Sequence, residues 1–117
     1  MNYARLIDAI ILVESGGQDM AIGDGNRARG PLQVHAAVVE DVNRFAGTSY
    51  SWKGMTNRVA ARQVCELYLQ RYAKGKSDQY CARLWNGGPT GPSKTATKRY
   101  WARVSREIGR QQKVGGK

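Results

Sequence analysis

The first fifteen residues have the apolar spacing of an amphipathic helix. Apolar side chains recur three or four positions apart, at Tyr3, Leu6, Ile7, Ile10 and Ile11. Such spacing places them on one face of a helix that we expect over about residues 2–15. Asn2 is a candidate N-terminal cap, and Gly16 and Gly17 are expected to end the helix.

Four further helical patterns follow. They are expected to run from Pro31 to about Gly47, from Asn57 to about Ala73, from Ser77 to about Asn86, and from Ser93 to about Ile108. The polar, glycine-rich residues 17–30 predict an ordered loop or a short hairpin. The pattern therefore predicts an all-α domain of about five helices over residues 1–108, followed by a basic flexible tail over residues 109–117.

Charge is distributed unevenly along the 117 residues, whose net charge is +10. Residues 1–42 hold three basic and six acidic side chains, whereas residues 43–117 hold sixteen basic and three acidic ones. A surface of this kind attracts polyanions. One class consistent with it is a basic nucleic-acid-binding domain that uses the aromatic and basic residues of Lys98–Arg106. No helix-turn-helix or zinc-finger signature supports that class.

The chain has few residues that could support metal binding or thiol chemistry. It has one histidine, His35, and two cysteines, Cys65 and Cys81, too few for a disulfide framework or a zinc site. The cysteines are interpreted either as two buried thiols or as a single bridge between neighbouring helices. We expect neither a metal nor an organic cofactor.

Glu14 is the unusual residue of the first helix. It follows Ile7, Ile10 and Ile11 by seven, four and three positions and so shares their apolar face. It also lies in the last turn, where the helix dipole disfavours negative charge. Both effects predict a raised pKa for Glu14 and make it a candidate general acid. A solvated helix-end carboxylate or an ion pair with an arginine is the structural alternative.

Four short motifs stand in order along the chain. They are Val13-Glu14-Ser15-Gly16-Gly17, Gly30-Pro31-Leu32-Gln33-Val34, Trp85-Asn86-Gly87-Gly88-Pro89, and the segment Thr97–Val104 that contains Tyr100. Together they resemble motifs of the lytic transglycosylases of the lysozyme-like superfamily, over about residues 3–106. The sequence departs from the family's pattern at Pro31, at Trp85, which stands where the family has tyrosine, and at Gly87.

The resemblance implies a lysozyme-like fold and a specific chemistry. The substrate would be the glycan strand of peptidoglycan, cut at the β-1,4 bond between N-acetylmuramic acid and N-acetylglucosamine. Glu14 would act as the single general acid and base, giving 1,6-anhydro products. Gln33 and Asn86 would orient Glu14 or hold an acetamido group, Ser15 would lie near the substrate or the carboxylate, and Tyr100 would stabilise positive charge or hydrogen-bond Glu14.

A hydrolase of the same fold is the nearest alternative. Most glycosidases use two carboxyl groups, and Asp24 could act as the second acid beside Glu14, as in goose-type lysozymes. Asp19 is a weaker candidate for that role. An Asx turn in the segment Gly23–Asn26 is the structural interpretation of Asp24.

The expected setting follows from the same resemblance. The longest apolar run, Ala9–Val13, is far shorter than a membrane span, and no secretory signal is recognisable in the chain as given. We expect a monomer that acts on the bacterial cell wall, in the periplasm, outside the cell, or as a phage lysis or virion protein. Anionic polymers of the cell envelope are a further expected partner, and nucleic acid is not.

Overall fold

The computed structural model describes residues 2–115, and helices account for most of them. The helices are α1 (Ala4–Ser15), α2 (Ala36–Ala46), α3 (Arg58–Ala73), α4 (Asp78–Gly87) and α5 (Thr97–Gly115). Two short 3-10 helices cover Lys53–Thr56 and Gly91–Ser93. Strands β1 (Ile22–Gly23) and β2 (Ala28–Arg29) pair antiparallel as a hairpin. The predicted all-α class with a small hairpin is confirmed.

Helix α1 begins and ends close to where the apolar pattern predicts. The N-cap position is held by Tyr3, whose side chain makes no capping bond, so the prediction of Asn2 as the cap is off by one residue. Asn2 still contributes, because its side chain accepts a hydrogen bond from the Ala4 backbone N–H at 2.9 Å. Gly16 follows the helix with a φ of 64°, a left-handed conformation that glycine adopts without steric cost. The chain therefore turns sharply just after Glu14 and Ser15.

Helix α2 begins at Ala36, five residues later than the sequence predicts. Gly30 and Gln33 both have positive φ, of 84° and 51°, and Val34 pairs with Arg29 as a bridge. This backbone cannot be helical, so residues 31–34 form a tight connection between the hairpin and α2. The predicted end of the helix is confirmed by the left-handed Gly47.

Helices α3 and α4 start at the predicted caps. The side chains of Asn57 and Ser77 accept hydrogen bonds from the backbone N–H groups of Ala60 and Tyr80, respectively. Cys65 and Cys81, one on each helix, are both buried and both free. The alternative of a single bridge is therefore wrong.

Helix α5 starts later than predicted and ends later. A buried network precedes it: the Arg83 Nε donates to the Thr97 hydroxyl at 2.8 Å, and that hydroxyl donates to the Gly91 carbonyl at 2.7 Å. These bonds hold residues 91–96, which include the 3-10 helix Gly91–Ser93, in a connection that is not α-helical. The helix continues to Gly115, past residue 108, where the sequence predicts its end. Residues 116 and 117 of the predicted tail lie outside the described residues.

The core lies where all five helices meet. Its largest fully buried side chains include Ile7, Ile10, Leu32, Met55, Leu69, Leu84 and Val104. Helix α5 packs against α1 and α4, which brings Tyr100 against the end of α1. Across residues 2–115, no helix is both long and apolar enough to span a bilayer.

Gly30, directly after strand β2, lies close against the backbone of Met55. A Cβ atom there would lie 1.8 Å from the Met55 carbonyl oxygen. We expect Gly30→Ala to lower the free energy of unfolding by about 3 kcal/mol or more, because strain from positive φ is added to this clash. Chemical denaturation measures the change.

Gly25→Ala is the matched control. Gly25 also has a positive φ, of 61°, but a Cβ there would meet nothing within 4 Å. We expect Gly25→Ala to lower the free energy of unfolding by only about 1 kcal/mol. Equal losses for the two variants would contradict the close contact at Gly30.

Candidate functional site

The Glu14 carboxyl lies in the last turn of α1, partly buried against α5. The Tyr100 hydroxyl donates a hydrogen bond of 2.8 Å to its Oε2. Tyr100 itself is 8% exposed, so this bond forms away from bulk water. Glu14 lies on the apolar face as predicted, and its hydrogen bond with Tyr100 is one of the two alternatives expected for that tyrosine.

Burial raises the pKa of Glu14 from 4.5 to about 7. The hydrogen bond from Tyr100 and the positive charge of Arg103 act in the opposite direction and lower it, but less strongly. The raised pKa predicted from the sequence is confirmed, with desolvation as its main cause. A carboxyl with such a pKa changes its protonation near neutral pH, so it can give or take a proton.

The same burial acts on Tyr100. Its pKa is raised well above the usual range, first by desolvation and then by the nearby Glu14 carboxyl. The phenol therefore stays protonated and acts as a fixed hydrogen-bond donor to Glu14.

Glu14 opens into a cleft of about 440 Å³. The cleft is lined by Glu14, Asp24, Ala28, Gln33, Val34, His35, Val38, Trp85 and Asn86. The fold thus gathers four residues that the sequence singled out from four different segments. Ser15 and Asp19 are not among the lining residues.

Gln33 lines the cleft but its amide nitrogen is bound to the backbone. The Nε2 donates to the carbonyls of Ala21 and Gly30 at 3.2 and 3.0 Å. These bonds hold the base of the hairpin in place. The expected contact of Gln33 with Glu14 or with an acetamido group stays a prediction.

The Ser15 hydroxyl is likewise used by the backbone. It donates to the Pro31 carbonyl at 2.8 Å, with the Ile11 carbonyl 3.0 Å away, and accepts from the Gly17 N–H at 3.2 Å. Ser15 therefore fastens the end of α1 to the segment before α2. This contact accounts for a serine directly after Glu14 without any ligand.

Asp24 stands at the mouth of the cleft, in the hairpin turn. Its carboxylate lies 3.3 Å from Arg27 Nη2 and 3.2 Å from His35 Nε2. Asp19, in contrast, pairs with Arg58 at 2.7 Å outside the cleft. His35 is a site residue that was not predicted from the sequence. The one signal for it is that it is the single histidine of the chain and follows Gln33 closely.

Trp85 and Asn86 form the wall contributed by α4. The Trp85 Nε1 donates to the Leu32 carbonyl at 3.3 Å, and its ring meets Tyr68 edge-on at 5.6 Å. These contacts fix the indole, while Asn86 is exposed at the rim.

Within residues 2–115, no three His, Cys, Asp or Glu side chains come together as a metal site would require.

Comparison with known proteins finds a similarity among solved structures. No protein-family model and no curated protein matches the sequence. Among solved structures, the chain is similar to a chain in the crystal structure of Aeromonas hydrophila PliI in complex with Meretrix lusoria lysozyme. The two chains share 29% identity, and the alignment covers 87% of each with a TM-score of 0.75.

This similarity corrects the predicted family. The structure that the chain matches is a complex of PliI with a lysozyme, and no lytic transglycosylase is part of it. The predicted membership of the lytic transglycosylases is therefore wrong. The physical reason lies in the motifs, because Ser15, Gly30 and Gln33 are explained by backbone contacts that the fold itself needs.

The predicted enzymatic activity and substrate are corrected on the same ground. Peptidoglycan cleavage, by transglycosylation or by the hydrolase alternative with Glu14 and Asp24, rests on motif resemblance, whereas the matched structure records one protein bound to another. The predicted partners, glycan strands and anionic envelope polymers, are likewise not supported by this comparison. An extracellular or periplasmic location, as expected, is consistent with it, but action on the cell wall is not supported.

The raised pKa of Glu14 has a consequence for stability. The pKa of Glu14 is about 7 in the folded protein and 4.5 when the side chain is exposed, as in the unfolded chain. Between these pH values the folded protein therefore holds this proton more tightly than the unfolded chain does. The contribution of Glu14 to the free energy of unfolding is therefore lost as the pH rises from about 4.5 to 7. We expect Glu14→Gln to be more stable than the wild type at pH 8, by up to about 3 kcal/mol, and nearly equal to it at pH 4.

Thermal unfolding of both proteins across this pH range measures the difference. Glu66→Gln is the control, because Glu66 is exposed on α3 and hydrated in the folded and unfolded states. If the difference in unfolding temperature between Glu14→Gln and the wild type does not change with pH, the burial of this carboxyl is contradicted.

Proposed function

We propose that this chain functions by binding another protein, as one member of a pair comparable to PliI and lysozyme. We further propose that the Glu14 cleft receives a segment of that partner. The observation that carries the proposal is the similarity to a chain of the PliI–lysozyme complex over 87% of both chains.

The shape of the cleft suits an inserted side chain or loop. Its volume of about 440 Å³ lies in the range of pockets that enclose a ligand group. Trp85 and Val38 supply apolar contact area, and Gln33, His35 and Asn86 supply polar groups around it. Protein interfaces concentrate binding energy where a side chain fills such a desolvated pocket.

The charge of the cleft defines the group it would accept. Two carboxyl groups, those of Glu14 and Asp24, line the cleft of a chain whose net charge is +10. Tyr100 donates to Oε2 of Glu14, and Oε1 accepts no hydrogen bond from the described residues. A hydrogen-bond donor or a cationic side chain of the partner therefore complements the floor of the cleft.

Binding is tested with the two proteins of the matched complex. Purified chain is titrated by calorimetry with PliI of Aeromonas hydrophila and, separately, with the lysozyme of Meretrix lusoria. Saturable one-to-one binding to either protein supports the proposal, and it also identifies which member of the pair is the partner. Absence of binding to both would overturn it.

The role of the cleft is tested with Asn86→Arg. The long side chain would fill the cleft from its exposed rim, so we expect the affinity for the partner to fall by about tenfold or more. Gln70→Arg is the matched control, because it places the same charged side chain on the exposed surface of α3. Equal affinities of the two variants would exclude the cleft as the binding surface.

A further inference from the structure

One face of α5 carries a row of four arginines. Arg99, Arg103, Arg106 and Arg110 are separated by four, three and four positions, which places them along one side of a helix. All four are exposed. At 1.5 Å per residue the arginine row is about 16 Å long.

Few acidic groups of the chain oppose this charge. Among the described residues, an ion pair is recorded for one of the four, between Arg110 and Glu107 at 3.1 Å. Arg103 extends toward α1, where its Nη2 lies 3.4 Å from the Val13 carbonyl. The arginine row therefore passes directly beside the end of α1 and borders the Glu14 site.

The helix surface beside the arginine row carries only short side chains, so another chain could approach the α5 backbone closely there. Small side chains stand there, at Ala102, Ser105 and Gly109, and all three residues are exposed. Glycine weakens a helix relative to alanine, and a Cβ at Gly109 would meet nothing within 4 Å. Packing inside the chain therefore does not require Gly109, whereas a second backbone approaching α5 closely would.

We propose that the arginine row is a docking surface for an acidic face of the partner protein. This inference rests on the proposed function, since the same partner would occupy the cleft. Guanidinium groups pair with carboxylates through two parallel hydrogen bonds. Arginines four residues apart are separated by about 6 Å along the helix, close to the spacing of alternate residues on a strand.

The position of the aromatic residues favours a protein over a nucleic acid. Stacking of bases requires aromatic rings on the binding surface. Tyr100 is buried against Glu14, and Trp101 is packed against the core, so both lie away from the arginine row. The row thus offers charge and close approach but no stacking platform.

The double variant Arg99→Glu/Arg106→Glu tests the inference. The partner is PliI or the lysozyme, whichever binds the wild-type chain, and association rates are measured at 50 and 300 mM salt. We expect the double variant to associate about tenfold or more slowly at low salt and to lose most of its salt dependence.

Lys74→Glu/Lys76→Glu is the matched control. These lysines are exposed beyond the end of α3, and the pair changes the net charge by the same amount. We expect Lys74→Glu/Lys76→Glu to change the association rate by less than about twofold. If the two double variants behave alike while wild-type binding persists, the arginine row is not the docking surface, although the proposed function stands.

Gly109→Ala provides an independent readout. We expect it to raise the unfolding temperature by a few degrees and at the same time to weaken binding, which a purely structural role would not do. Loss of heparin binding in Arg99→Glu/Arg106→Glu, with partner binding unchanged, would instead assign the row to a polyanion. Failure of both proteins to bind the wild type would overturn the inference together with the proposed function.

Discussion

The site depends on the hydrogen bond between Glu14 and Tyr100, which joins the end of α1 to α5. A carboxyl on the apolar face of a helix is costly to bury, and the Tyr100 hydroxyl offsets part of that cost. For the two to meet, α1 must end just after Glu14, and α5 must pack on α1 at Tyr100. Gly16 provides the first condition, and the buried Arg83–Thr97 contact that precedes α5 supports the second.

The features that could be predicted from the sequence are those set by local spacing. The apolar period places Glu14 on the buried face of α1, and Asn57 and Ser77 cap their helices where the pattern begins. The raised pKa of Glu14 follows from the same spacing, because desolvation requires only that this face be buried. These inferences need no knowledge of distant contacts.

The features that could not be predicted depend on residues far apart in sequence. Helix α2 begins late because Gly30 and Gln33 have left-handed backbone conformations, and Gly30 also lies too close to the Met55 carbonyl for any side chain. His35 and Asp24 both line the cleft, and the hairpin turn brings the Asp24 carboxylate within 3.2 Å of the His35 Nε2. Neither contact leaves a periodic signal in the sequence.

The order of the motifs indicated how the backbone is arranged, but it did not identify the function. Ser15 and Gln33 are placed by hydrogen bonds to the carbonyls of Pro31, Ala21 and Gly30, so their positions reflect the junction between α1, the hairpin and α2. A protein can need that junction whatever its cleft binds. The similarity to a chain of the PliI–lysozyme complex therefore bears on function more directly than the motifs do.

The most direct test of this account is an NMR titration of the Glu14 side-chain carboxyl in the isolated chain. The account predicts a midpoint near the pKa of about 7 set by burial, and a higher midpoint in Tyr100→Phe, which loses the hydrogen bond that lowers this pKa. A midpoint close to the ordinary value of 4.5 in both proteins would contradict it, because the carboxyl would then be exposed to water and the cleft would lack its buried acid.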